Sequence, residues 1–211
     1  MVVIHYTAME SAGAAEARLC DPAFEVSAHY LIGRDGATVQ MVDERLRAWH
    51  AGAGQWGDVT DVNSRSIGVE LDNDGTAPFP TPQMSALICL LRGIFARWRI
   101  RPERVIGHSD MATGRKIDPG PHFDWQGLAQ VGLAVRPDVA RRAEEGRVDP
   151  VAFRRDATAF GYAPGLDAET LLAPFRLRFR RGLAGPLDAV DCAMAANLAH
   201  RFAVDQGRRQ S

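Results

Sequence analysis

As far as His108 the chain alternates between two hydrophobic periods. Val2, Val3 and Ile4 are a β-branched run that predicts a buried strand closed by His5. Ser66 to Leu71 (SIGVEL) predicts a central strand, apolar except for Glu70, and Arg104 to Gly107 predicts another, closed by His108. Ser27 to Gly33 and Ala37 to Val42, separated by Arg34-Asp35-Gly36, predict a hairpin, because Asp-Gly favours a tight turn. Helical spacing takes over in two places. The Ala-rich stretch Ser11 to Cys20 predicts a short helix. Leu87, Leu90, Leu91, Ile94, Phe95 and Trp98 predict a longer, core-covering one over Pro82 to Trp98, with Thr81 as its N-cap. The order strand, helix, hairpin, strand, helix, strand implies an α/β fold with a mixed central sheet flanked by helices.

After a short apolar segment, Gln126 to Val135, the charged and Pro-containing stretch from Arg136 to Gly146 reads as a linker or linker helix. Pro150 to Tyr162, Asp167 to Arg181 and Leu187 to Phe202 predict three further helices, separated by Pro164-Gly165 and by Gly182 to Pro186. The expected organisation is a catalytic domain over 1–135, a linker over 136–149 and a small three-helix domain over 150–211. Most of the aromatics there, Phe153, Phe160, Tyr162, Phe175 and Phe179, should pack the bundle.

Composition narrows the function classes. With 46% hydrophobic and 24% charged residues the chain is that of a globular protein, and a net charge of −1 gives no electrostatic reason to bind nucleic acid or an anionic membrane. No apolar run approaches the ~20 residues of a membrane helix. The opening MVVIHYTAM has neither a basic n-region nor a long apolar h-region, so no export signal is read in it and the expected compartment is the cytoplasm. Cys20, Cys89 and Cys192 lie far apart and in no CxxC pairing, which predicts small buried thiols.

The candidate chemistry is concentrated in Val105 to Trp125, VIGHSDMATGRKIDPGPHFDW. His108 and Asp118 offer an imidazole and a carboxylate on a loop shaped by Gly114, Pro119, Gly120 and Pro121, and His5 offers a third ligand if its strand neighbours that of His108. Catalytic zinc sites use three such protein groups and leave a fourth position for water. Lys116 is the only lysine in a chain with 25 basic residues. It places a compact ammonium where a developing oxyanion would need one. Glu70 within an apolar strand is poorly solvated, which raises a carboxyl pKa toward the range of a general base. Each residue also has a structural reading: a satisfied core histidine, a salt-bridged glutamate, a loop lysine. The aromatics of Trp49-His50-Ala51-Gly52 and Gly54-Gln55-Trp56 either wall a substrate groove or pack the loop.

VVIHYTA, SAHYLIGRDG, SIGVEL and above all GHSDMATGRKIDPGPHFDW, taken in order over about the first 130 residues, resemble the zinc-dependent N-acetylmuramoyl-L-alanine amidases of the type-2 family. That family includes the phage lysozyme-type amidases and the peptidoglycan recognition proteins. The resemblance implies Zn2+ held by His5, His108 and Asp118, with Glu70 and Lys116 as catalytic residues. Asp at the third ligand position matches the bacterial recycling and envelope branches, where phage and animal members usually have Cys. Phage members place a catalytic tyrosine before the histidine of the hairpin strand. Here Ala28 precedes His29, which favours Glu70 as the proton-transfer group. FGYAPGLDAETLLAPFRLRFR resembles, more loosely, the three-helix peptidoglycan-binding modules that follow some envelope amidases. The implied substrate is peptidoglycan or a muropeptide, cut between N-acetylmuramic acid, or its 1,6-anhydro form, and L-alanine. The alternatives are a non-catalytic peptidoglycan-binding protein and a zinc hydrolase of another amide.

Overall fold

A computed structural model describes residues 1–139, 143 and 146–205. The sheet has five strands in the order β3-β2-β4-β1-β5: β1 (Val2–Tyr6), β2 (Tyr30–Ile32), β3 (Thr38–Gln40), β4 (Ile67–Leu71) and β5 (Val105–Gly107). Only the β2–β3 hairpin is antiparallel. Its turn closes where expected, with Gly36 at φ 89° and the Asp35 carboxylate accepting from the Ala37 N–H. The mixed α/β sheet is thus the architecture expected from the strand and helix order.

Strand alternation divides the core. Val2, Ile4, Ile67, Val69, Leu71 and Val105 face one side, where α2 (Thr81–Trp98) covers them with Leu87, Leu91 and Ile94. Val3 and Ile106 face the other, with His5, Gly68 and Glu70 on that same face by the two-residue period of a strand. There they join Trp56, Phe153, Phe160, Tyr162 and Phe175 in one continuous cluster. These aromatics come from and around α5 (Pro150–Phe160) and α6 (Ala168–Phe179), which with α7 (Ala189–Phe202) form the C-terminal helices. Three arginines of α6 and its C-cap, Arg176, Arg178 and Arg180, are internally engaged as well. Arg176 and Arg180 pair with Asp191, which is fully buried, while Arg178 reaches into the sheet domain.

Several local expectations shift. The long helix begins at Thr81, so Pro80 rather than Thr81 is its N-cap and no side chain caps it. His108 follows β5 as the first residue of a short helix, α3 (His108–Met111). The apolar segment after Asp124 forms α4 (Trp125–Gln130), capped by that aspartate. α1 (Ala12–Cys20) takes Ser11 as its N-cap. The cysteines are free but not buried: Cys20 and Cys89 are exposed and Cys192 is half-buried. Cys20 and Cys89 lie on solvent-facing helix positions, where a small apolar side chain costs little. Part of the 136–149 linker, and the residues after Asp205, lie outside the described residues.

Candidate active site

Parallel strands bring their C-terminal ends to one edge, the usual place for a site in such sheets. β1 and β4 run in register with His5 opposite Glu70, and β5 lies on the other side of β1. At the end of β5 the chain turns into α3 and then into the loop carrying Lys116 and Asp118. The loop folds back so closely that a Cβ on Gly107 would stand 2.7 Å from Pro119 Cδ, and the Ser109 N–H donates to the Asp118 carbonyl at 2.9 Å. Only glycine at 107 permits that approach.

The consequence is that three ligand-type atoms converge. His5 Nδ1 lies 3.0 Å from His108 Nδ1 and 3.1 Å from Asp118 Oδ2, and His108 Nδ1 lies 3.0 Å from the same oxygen. The outer nitrogens determine what these inner atoms carry. His108 Nε2 donates to the Ala51 carbonyl at 2.9 Å, which leaves Nδ1 as a lone pair. For His5 the chain is longer. The Ser66 hydroxyl donates to the Val62 carbonyl and so accepts from His50 Nε2 at 3.2 Å. His50 Nδ1 then accepts from His5 Nε2 at 3.0 Å, again leaving an inner lone pair. Two imidazole lone pairs and a carboxylate oxygen therefore face one another with no donor between them. A cation reconciles that arrangement, and the set is chemically suited to a divalent metal with the outer nitrogens held as metal-binding histidines usually are.

Electrostatics keeps His5 and His50 neutral. Burial, then His108, lowers the His5 pKa to about 4, so His5 is neutral at neutral pH. Burial also takes His50 well below its ordinary value, helped by the neighbouring His5, His29 and His108. Glu70 moves the other way. Although the residue is part-exposed, its Oε2 is sealed from solvent without a hydrogen-bond partner among the described residues, and burial followed by the Asp118 charge raises its pKa to about 8.

These groups and Lys116 line a cleft of about 550 Å³. Lys116 is exposed at its wall. A larger open hollow of about 950 Å³ lies between the Gln55 to Asp58 loop and α5, and holds none of them. All five residues singled out in the sequence thus border one cleft. Of the two loop tryptophans, Trp49 is 56% exposed on the cleft wall, whereas Trp56 is wholly buried in the core. His29, despite its hairpin motif, is structural: it accepts from the Gly68 N–H and bonds the Leu46 carbonyl. Sequence reasoning missed His50 and Ser66. The signal was present in His50 beside Trp49 and in the glycine at 68, where any Cβ would lie 2.4 Å from the His50 ring.

A family model described as N-acetylmuramoyl-L-alanine amidase matches residues 1–121, from β1 through the whole metal-type loop. The chain belongs to this amidase family. Its sequence is 36% identical to N-acetylmuramoyl-L-alanine amidase AmiD of Escherichia coli, over 97% of this chain and 84% of that protein. It is 41% identical to the 1,6-anhydro-N-acetylmuramyl-L-alanine amidase AmpD of Enterobacter cloacae, over 47% of this chain and 54% of that one. Among solved structures, AmiD in complex with the substrate anhydro-N-acetylmuramic acid-L-Ala-D-gamma-Glu-L-Lys superposes with a TM-score of 0.87, covering 97% of this amidase and 90% of AmiD. AmpDh3 of Pseudomonas aeruginosa, in complex with anhydromuramic pentapeptide, gives 0.86 at 30% identity, covering 95% of this amidase and 91% of AmpDh3. Both superpositions extend over the C-terminal helices.

Proposed function

We propose that this amidase uses Zn2+, held by His5, His108 and Asp118, to hydrolyse the amide between N-acetylmuramic acid, or its 1,6-anhydro form, and the L-alanine of a peptidoglycan stem peptide. The observation that carries the proposal is the convergence of His5 Nδ1, His108 Nδ1 and Asp118 Oδ2 as three acceptors around one point, with Glu70 in register beside His5. The complexes of AmiD and AmpDh3 with anhydromuramyl peptides support the substrate class.

When bound, zinc supplies Lewis acidity, which polarises an amide carbonyl and makes water a nucleophile near neutral pH. The protein's own groups do the rest. Glu70 takes a proton from the attacking water at its carboxylate and passes it to the departing amine of L-alanine. A nearby divalent charge favours the ionised form of Glu70, opposing the burial that raises its pKa without metal. Lys116 reaches from the cleft wall toward the carbonyl oxygen as negative charge develops there, a contribution of ~3 kcal/mol for a single donor of this kind. His50 and Ser66 hold His5 in the tautomer that presents Nδ1. The test is Asp118→Ala, assayed for zinc content and for release of stem peptide from anhydro-muropeptide. Loss of both is expected, and full retention of zinc would refute the ligand set. Comparing soluble anhydro-muropeptide with intact sacculi then identifies the preferred substrate.

A further inference from the structure

Among the described residues β5 is an edge strand paired only with β1, so its outer carbonyls need partners other than a strand. One guanidinium supplies them. Arg178, in α6, donates through one terminal nitrogen to the Val105 carbonyl and through the other to Asp110 Oδ2, both at 2.8 Å. Asp110 is 1% exposed and fully engaged: Oδ2 also accepts from the Gly107 N–H at 2.8 Å, and Oδ1 accepts from the Tyr162 hydroxyl at 2.7 Å. Val105 and Asp110 lie on either side of His108. The clamp therefore fixes both the strand that delivers His108 and the helical turn that carries it away.

Its geometry is stiff. The Arg178 guanidinium is 4% exposed as a residue and sits among the rings of Trp125, Phe179, Phe160 and Trp56, at 4.8 to 5.8 Å from their centroids. Four aromatic walls fix the orientation of this buried ion pair, and both terminal nitrogens are used, while Arg178 Nε has no hydrogen-bond partner among the described residues. Arginine's planar fork is what allows two separated acceptors to be held at once, which a lysine ammonium cannot reproduce.

Resting on the reading of His108 as a metal ligand, we propose that Arg178 and Tyr162 are positioning residues for the metal site, acting through Asp110. The C-terminal helical region is on this account part of the catalytic unit, because Arg178 lies in α6 and Tyr162 just after α5.

The test uses the full-length chain with Arg178→Lys, Tyr162→Phe and, as control, His108→Ala. Zinc affinity is measured by competition with a chromophoric chelator, ligand geometry by the visible spectrum of the cobalt-substituted protein, kcat and KM on soluble anhydro-muropeptide, and Tm on metal-free protein. For Arg178→Lys we expect zinc affinity roughly 10- to 100-fold weaker, the range seen when partners of metal ligands are changed, with a displaced cobalt spectrum and a fall in kcat at near-parent KM. Tyr162→Phe, which removes one hydrogen bond and leaves no charge unpaired, should shift the same three readouts by a smaller factor. Parent values for affinity, spectrum and kcat in both variants, with only Tm lowered, would show that the clamp is a strut and overturn the proposal. Should Arg178→Lys fail to fold, Tyr162→Phe decides by the same criteria. If His108→Ala binds zinc as the parent does, the ligand assignment falls, and the proposal with it. If only His108→Ala loses zinc, the ligand assignment stands and the clamp alone fails.

Discussion

Replacing Glu70 by Gln should do two opposite things, and the second is the sharper test. Catalytically, the amide cannot carry a proton, so turnover should be lost while zinc is retained. Thermodynamically, the same change should stabilise the metal-free protein at alkaline pH. The Glu70 carboxyl has an ordinary value of 4.5 and stands at about 8 in the fold. Between those values the folded chain holds a proton that the unfolded chain has released, so stability declines as pH rises from 4.5 toward 8. At about 1.4 kcal/mol per pH unit, the penalty grows to at most about 5 kcal/mol by pH 8. A neutral Gln of the same shape escapes it. Urea denaturation in the presence of a chelator should therefore show Glu70→Gln more stable than the parent by several kcal/mol at pH 8, with little difference at pH 4.5. Equal stability at both pH values would mean that Glu70 is well solvated, and would remove the physical basis for its role as a base.

Other changes test neighbouring parts of the argument. Gly68→Ala places a Cβ 2.4 Å from the His50 ring, so it should cost about 1–3 kcal/mol in stability and weaken zinc binding roughly 10-fold or more through His5, read by denaturation and chelator competition. Lys116→Ala should lower kcat by about 100-fold or more with KM little changed, as steady-state kinetics on anhydro-muropeptide would show. Asp191→Ala strands the buried Arg176 guanidinium and should cost about 3–5 kcal/mol in urea unfolding, without altering zinc affinity per folded molecule.

What the sequence disclosed depended on how local its cause was. The strands were legible because β-branched runs and a two-residue period are local, and the hairpin because Asp35-Gly36 determines its own turn. His108, Lys116 and Asp118 were legible because they crowd one short loop with the glycines and prolines that shape it. His50 was not, since its role exists only after its loop folds across Gly68 to meet His5, 45 residues away. The Asp110 to Arg178 pair spans 68 residues, and nothing in the spacing of an arginine run tells which guanidinium turns inward. The exposed cysteines were misread for the opposite reason: a general tendency of thiols to be buried carries no information about the particular helix face on which Cys20 or Cys89 stands.

The alternation along β4 has a practical consequence for anyone who would engineer this enzyme. Ile67, Val69 and Leu71 point toward α2, whereas Gly68 and Glu70 share the face of His5 and His50. Thermostabilising substitutions can thus be sought freely among the residues under α2, where a volume-conserving exchange perturbs packing alone. On the opposite face, the room for improvement is nearly nil, because there a methyl group is enough to reach the machinery.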